Sequence, residues 1–89
     1  MQFEWDEIKA ETNLKKHGLN FSEACRVFEA DTFTFEDLRL DYGEQRFITL
    51  GILEGVVVVL VHTETVDVIR VISFRKAIKN EQELYFKNL

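Results

Sequence analysis

Near Asp31 the spacing of apolar residues changes from helical to alternating, and that change limits the folds open to this chain. Before it, Asp6 is a good N-cap, because its carboxylate can accept from the free N–H groups of a first turn. Glu7 to Lys16 then reads as a helix that Gly18 stops. Ser22 can cap a second helix, in which Ala24, Val27 and Phe28 recur at helical spacing. After Asp31 the period is two: Phe33 and Phe35 point one way, Thr32 and Thr34 the other. Strands are predicted over Arg46 to Leu53, Val56 to His62 and Val68 to Phe74, with a tight turn at Glu54-Gly55. Val56 to Val61 is the most apolar and is expected at the centre of the sheet. Phe3-Glu4-Trp5 reads as a short strand, and Ala77 to Lys87 as a closing helix. The predicted class is α+β, with two N-terminal helices packed on an antiparallel β-meander and a C-terminal helix.

Eighty-nine residues suffice for a single domain spanning 1–89. The one cysteine, Cys25, excludes an intrachain disulfide and fits a reducing cytoplasm. No basic stretch followed by an apolar one opens the chain, so no secretory signal is expected. The longest apolar run, Val56 to Val61, is far short of the roughly 20 residues a bilayer needs. A soluble, cytoplasmic protein is expected. The net charge of −5 argues against a polyanionic partner as far as totals go. The acidity is concentrated in residues 31–55, with two basic and six acidic groups, whereas residues 56–89 carry five and four. A local basic site on an acidic body is compatible with that distribution.

Phe3-Glu4-Trp5-Asp6, then Lys9, Asn13, Lys16-His17-Gly18 and Phe21, resembles the opening of BrnT-type toxins. Glu23-Ala24 and Val27-Phe28 continue the likeness. Arg46-Phe47-Ile48-Thr49-Leu50-Gly51 is similar to that family's strand ending in glycine. Arg70 to Ala77, with Glu81 and Tyr85 after it, is similar to its closing block. The resemblance covers nearly the whole chain and is weak only over residues 31–45. It implies a RelE-like fold, metal-independent RNA cleavage that arrests growth, and a BrnA-type antitoxin with a DNA-binding ribbon-helix-helix region. The toxin would then be held in a hetero-oligomer. The last helix, with Lys79 and Lys87 set against Glu81 and Glu83, lacks the arginines common in that family. A non-catalytic module that only binds an antitoxin or another protein is therefore the competing expectation.

Lys9, Asn13 and Lys16 share one helix face, with His17 beside them. That face can hold a phosphate and supply an acid or base, or it can be a solvated face with His17 at the helix C-terminus. Arg46, Arg70 and Arg75 can bind a phosphate bidentately, or pair with some of the sixteen carboxylates. Strict alternation puts Arg75 with Val71 and Ser73 and leaves Arg70 opposite, unless twist or a bulge intervenes. Taken with the resemblance, the expected catalytic set is His17, Lys16, Arg46 and Arg75. His17, or a lysine of depressed pKa, would move the proton, and the arginines would bind the charged transition state. Lys9, Asn13, Arg70, Ser73 and Tyr85 are the expected substrate contacts, and Glu81 is expected to pair with an arginine. Ser73 has no nucleophile elbow around it. The scattered His17, His62 and Cys25 offer no metal-ligand spacing, and no Gly-rich phosphate loop implies a nucleotide cofactor. The acidic run Glu36-Asp37, Asp41 and Glu44 can attract a basic partner segment or merely aid solubility.

Overall fold

The computed structural model describes residues 1–89. Five strands form one sheet in the order β1-β5-β4-β3-β2. They are β1 (Gln2–Glu4), β2 (Phe33–Glu36), β3 (Phe47–Leu53), β4 (Val56–Glu64) and β5 (Val68–Lys76). Three helices accompany them: α1 (Glu7–His17), α2 (Ala24–Val27) and α3 (Lys79–Lys87). The class is α+β. β2 to β5 form an antiparallel meander with the valine-rich β4 in the middle. β1 departs from that pattern, because it pairs with β5 in parallel. No helix is long and apolar enough to cross a membrane.

Local chemistry accounts for most element ends. The Asp6 carboxylate accepts from the N–H groups of Ile8 and Lys9, and Gly18 closes α1 in the left-handed region. Asn20, not Ser22, caps the next segment. Its side chain accepts from the Ser22 N–H and starts a 3-10 turn over Phe21–Glu23 that runs into α2. Glu54 and Gly55 both have positive φ, 50° and 79°, as a two-residue type I′ hairpin requires. α3 begins at Lys79 rather than Ala77, because the Ala77 N–H still donates to the Val57 carbonyl and belongs to the sheet.

Alternation gives the sheet two apolar faces. On one, Val58, Leu60, Val71 and Phe74 pack with Phe21, Ala24 and Val27, and Trp5 lies against Phe21 edge to face. On the other, Leu50, Val57 and Val59 pack with Tyr85 of α3 and with Phe33 and Phe35. Gly51 lets α2 approach the sheet: a Cβ there would stand 2.5 Å from Val27 Cγ1. The sheet has one irregularity between its two longest strands. β4 and β5 shift register between Val61 and His62, which pair with Ser73 and Val71 and leave Ile72 as a bulge.

Candidate functional site

The bulge decides which side chains share a face. Arg75 pairs with Val59, Ser73 with Val61 and Arg70 with Thr63, three alternate positions of β4. Arg70, Ser73 and Arg75 therefore point to the α3 side of the sheet, while Val71 and Phe74 point to the helical core. Uninterrupted alternation predicts Arg75 beside Val71 and Arg70 opposite. The extra residue overturns that arrangement and unites the two arginines. Arg46 joins them: Phe47 pairs with His62 on the core side, so the residue before it faces the α3 side.

Each of these guanidiniums has a carboxylate. Arg75 binds Glu81 through two parallel hydrogen bonds of 2.8 Å. Glu44 accepts from Arg70 Nη2 at 2.7 Å and from Arg46 Nε at 3.1 Å. Arg46 also lies over the Tyr42 ring, 4.2 Å from its centroid. Glu81 is held below the ordinary carboxylate range, first by its hydrogen bond from Arg75. Glu44 is lowered in the same direction, first by Arg46. Glu81 also accepts from the Ile78 N–H at the start of α3, so it fixes helix and arginine together.

The loop before β3 supplies residues that periodicity does not reveal. The Asp37 carboxylate is fully buried and accepts from Arg39 Nε and Nη2 at 2.7 Å each, and from the Tyr42 hydroxyl at 3.0 Å. Asp37 and Glu44 are thus engaged within the chain. The acidic run is not a continuous free surface for a basic partner.

On the other side of β5 lies a shallow cleft of about 260 Å³. Lys9, Thr12, Lys16 and His17 of α1 line it together with Ile72 and Ser73 of the bulge. β1 pairs only as far as Arg70, so β5 beyond it has a free edge, and α1 lies along that edge. Asn13 makes the attachment. Its Oδ1 accepts from the Phe74 N–H at 3.1 Å, and its Nδ2 donates to the carbonyls of Phe74 and Leu19 at 2.8 and 3.1 Å. Asn13 borders the cleft, but its amide is occupied by backbone. Tyr85 is buried, and its hydroxyl donates to the Asp31 carbonyl rather than turning to the cleft. The His17 pKa is lowered by burial, then by the charges of Lys16 and Arg75. The shift favours the neutral imidazole, and Arg75 acts on His17 across the β5 edge.

The second histidine has another environment. His62 is buried between Phe28 and Phe47, with Thr49 Oγ1 2.6 Å from Nε2. It belongs to the core and lies away from the cleft.

Comparison with known proteins bears on the fold and the family. Residues 5–81 match the family described as the ribonuclease toxin BrnT of type II toxin–antitoxin systems. The fold is similar to the crystal structure of the Brucella abortus ribonuclease toxin BrnT, with a TM-score of 0.65 and 28% sequence identity. That likeness covers 89% of this chain and 99% of the Brucella chain. No curated protein sequence matches the chain. The match over residues 5–81 spans most of the sequence, and the chain belongs to the BrnT family of type II toxin–antitoxin ribonuclease toxins.

Proposed function

We propose that this chain is a metal-independent endoribonuclease of RelE-like architecture. It cuts RNA by the attack of a 2′-hydroxyl on the adjacent phosphate. The observation that carries this reading is the cleft at the free edge of β5, where Lys9, Lys16 and His17 line one wall, together with Arg75 of the same strand, whose charge acts on His17 and which shares its face with Arg46 and Arg70. His17 takes the proton from the attacking 2′-oxygen, and Lys16 beside it favours the resulting anion. The bond to the 5′-oxygen breaks and that oxygen takes a proton from water, leaving a 2′,3′-cyclic phosphate and a 5′-hydroxyl. Arg75 and Arg46 bind the non-bridging oxygens as charge develops, with Arg70 and Ser73 as further contacts. Lys9 holds a neighbouring phosphate, and Asn13 keeps α1 against the sheet. Tyr85 serves the site by anchoring α3, which brings Glu81 to Arg75.

The cellular role accords with this chemistry. Residues 1–89 act as one domain in the cytoplasm, arrest growth when unopposed, and are silenced in a hetero-oligomer with a BrnA-type antitoxin carrying a ribbon-helix-helix region. A second reading has its own support. Arg39, Arg46, Arg70 and Arg75 each already have a carboxylate partner, as a module that has lost catalysis and only binds its antitoxin would allow.

One experiment separates the two. Induction of the chain alone should arrest bacterial growth, and the purified protein should cut RNA in EDTA to products ending in cyclic phosphate. His17→Ala and Arg75→Ala should abolish both effects while remaining folded. A folded wild type that neither arrests growth nor cuts RNA selects the binding module.

A further inference from the structure

The Asp37–Arg39 pair is built unlike the other arginine–carboxylate pairs of the molecule. Arg26 with Glu54, and Arg70 with Glu44, join partly exposed partners on both sides. In the pair formed by Asp37 and Arg39, the carboxylate side chain is 0% exposed and the guanidinium side chain 61%. Every contact holds the arginine in one orientation. Asp37 Oδ1 accepts from the Arg39 backbone N–H at 3.2 Å and from its Nε at 2.7 Å. Asp37 Oδ2 accepts from Arg39 Nη2 at 2.7 Å and from the Tyr42 hydroxyl at 3.0 Å. Arg39 Nη1 makes no hydrogen bond in the fold.

Burying a carboxylate carries a desolvation cost that an ion pair often fails to offset, so such a pair is a poor device for stability alone. What it does provide is a cationic fork fixed in advance, with less side-chain freedom to lose on binding an anion. Its place in the sheet gives that fork a purpose. Asp37 follows β2 in register with Arg46, its N–H donating to the Arg46 carbonyl, and so begins the row that Arg46 and Arg70 continue. The Arg39 charge also reaches Arg75 and Glu81, acting to lower the pKa of both.

We propose that Arg39 is a fourth phosphate-binding arginine of the sheet face, contacting a phosphodiester of single-stranded RNA next to the one cleaved, and that Asp37 is the positioning residue that aims it. This rests on the proposed ribonuclease activity and adds a residue to it. RNA approaches the fork from Nη1, which Asp37 does not use, so binding leaves the Asp37 pair intact.

Binding of a fluorescent, uncleavable 2′-O-methyl RNA by the full chain, measured by anisotropy across salt concentrations, tests this. Each phosphate contact on a single strand contributes about −0.7 to the slope of log affinity against log salt. Arg39→Gln should weaken binding roughly tenfold and flatten the slope by about one such contact. The double variant Asp37→Asn/Arg39→Gln leaves no buried carboxylate unpaired and should show the same flattening. Asp37→Asn alone should weaken binding several-fold with the slope unchanged, because the charge stays and only its orientation is lost. Arg26→Gln, on α2, should behave as the wild type. If folded Arg39→Gln and the double variant both bind with wild-type affinity and slope while Arg75→Ala does not, Arg39 is only a structural partner and the ribonuclease reading stands without it. If the wild type itself fails to bind the RNA, both readings fall.

Discussion

The side-chain amide of Asn13 completes the backbone hydrogen bonding of Phe74, 61 residues further along the chain. It supplies an acceptor and a donor where a neighbouring strand would, and this joins α1 to the open edge of β5. Asn13→Ala leaves the buried N–H and C=O of Phe74 without partners. Such groups cost about 1–3 kcal/mol each when unsatisfied. We expect a loss of about 2–4 kcal/mol in urea unfolding. Asn13→Asp should be at least as damaging, because a carboxylate cannot donate to the two carbonyls. RNA cleavage should fall with either substitution, since α1 carries Lys9, Lys16 and His17. A variant of unchanged stability would show that α1 is held by other contacts.

Gly51 is required for space. An added methyl would meet Val27 Cγ1 at 2.5 Å and Thr32 Cγ2 at 3.3 Å. Gly51→Ala should destabilise by about 1–3 kcal/mol, the usual cost of overpacking a filled core. Adding Val27→Ala removes the nearer obstacle, so the two substitutions together should cost less than the sum of their separate effects. Strict additivity in a double-mutant cycle would contradict the packing account.

His62 should make stability depend on pH. Burial lowers its pKa in the fold, against 6.5 for the free side chain. The neutral ring fits its surroundings: Nδ1–H can donate to the Thr63 carbonyl at 3.3 Å while Nε2 accepts from Thr49 Oγ1. Thr49 can in turn accept from Thr34, 2.7 Å away. Because the folded pKa is the lower one, the unfolded chain binds the proton first. The contribution is complete above pH 6.5 and is lost progressively as pH falls below it. Glu44 and Glu81, whose pKa values are also lowered, lose theirs only in the carboxylate range. Unfolding free energy measured between about pH 8 and pH 5 should fall in the wild type and fall less in His62→Gln.

Particular residues show what was legible in the sequence and what was not. The caps at Asp6 and Gly18, the Glu54-Gly55 turn and the central place of Val56 to Val61 follow from short-range chemistry and alternation. The parallel pairing of β1 does not, because it depends on where α1 returns the chain. The bulge at Ile72 has no local signature either, yet it brings Arg70 and Arg75 to one face. Arg39 lies in a segment without periodicity, and only the burial of Asp37 distinguishes it. Asn13 has the spacing of a solvated face with Lys9 and Lys16, and the orphaned edge of β5 turns it inward.

The titration of His17 tests whether the cleft and the arginine face form one electrostatic site. Its pKa is lowered first by burial, then by Lys16, then by Arg75. Lys16→Gln and Arg75→Gln should each raise the midpoint followed by NMR of the imidazole ring, with the larger rise for Lys16→Gln. Added salt should raise the wild-type midpoint as well, because exposed charges are screened over about 8 Å at physiological ionic strength. If His17 is the base, cleavage should fall as pH drops through that midpoint, and the acid limb of the rate profile in Lys16→Gln should move to higher pH with the ring. A ring that titrates near 6.5 in the wild type, the ordinary value, and stays there in both variants would separate His17 from the arginines. An acid limb that does not follow the ring would assign the proton transfer to another group.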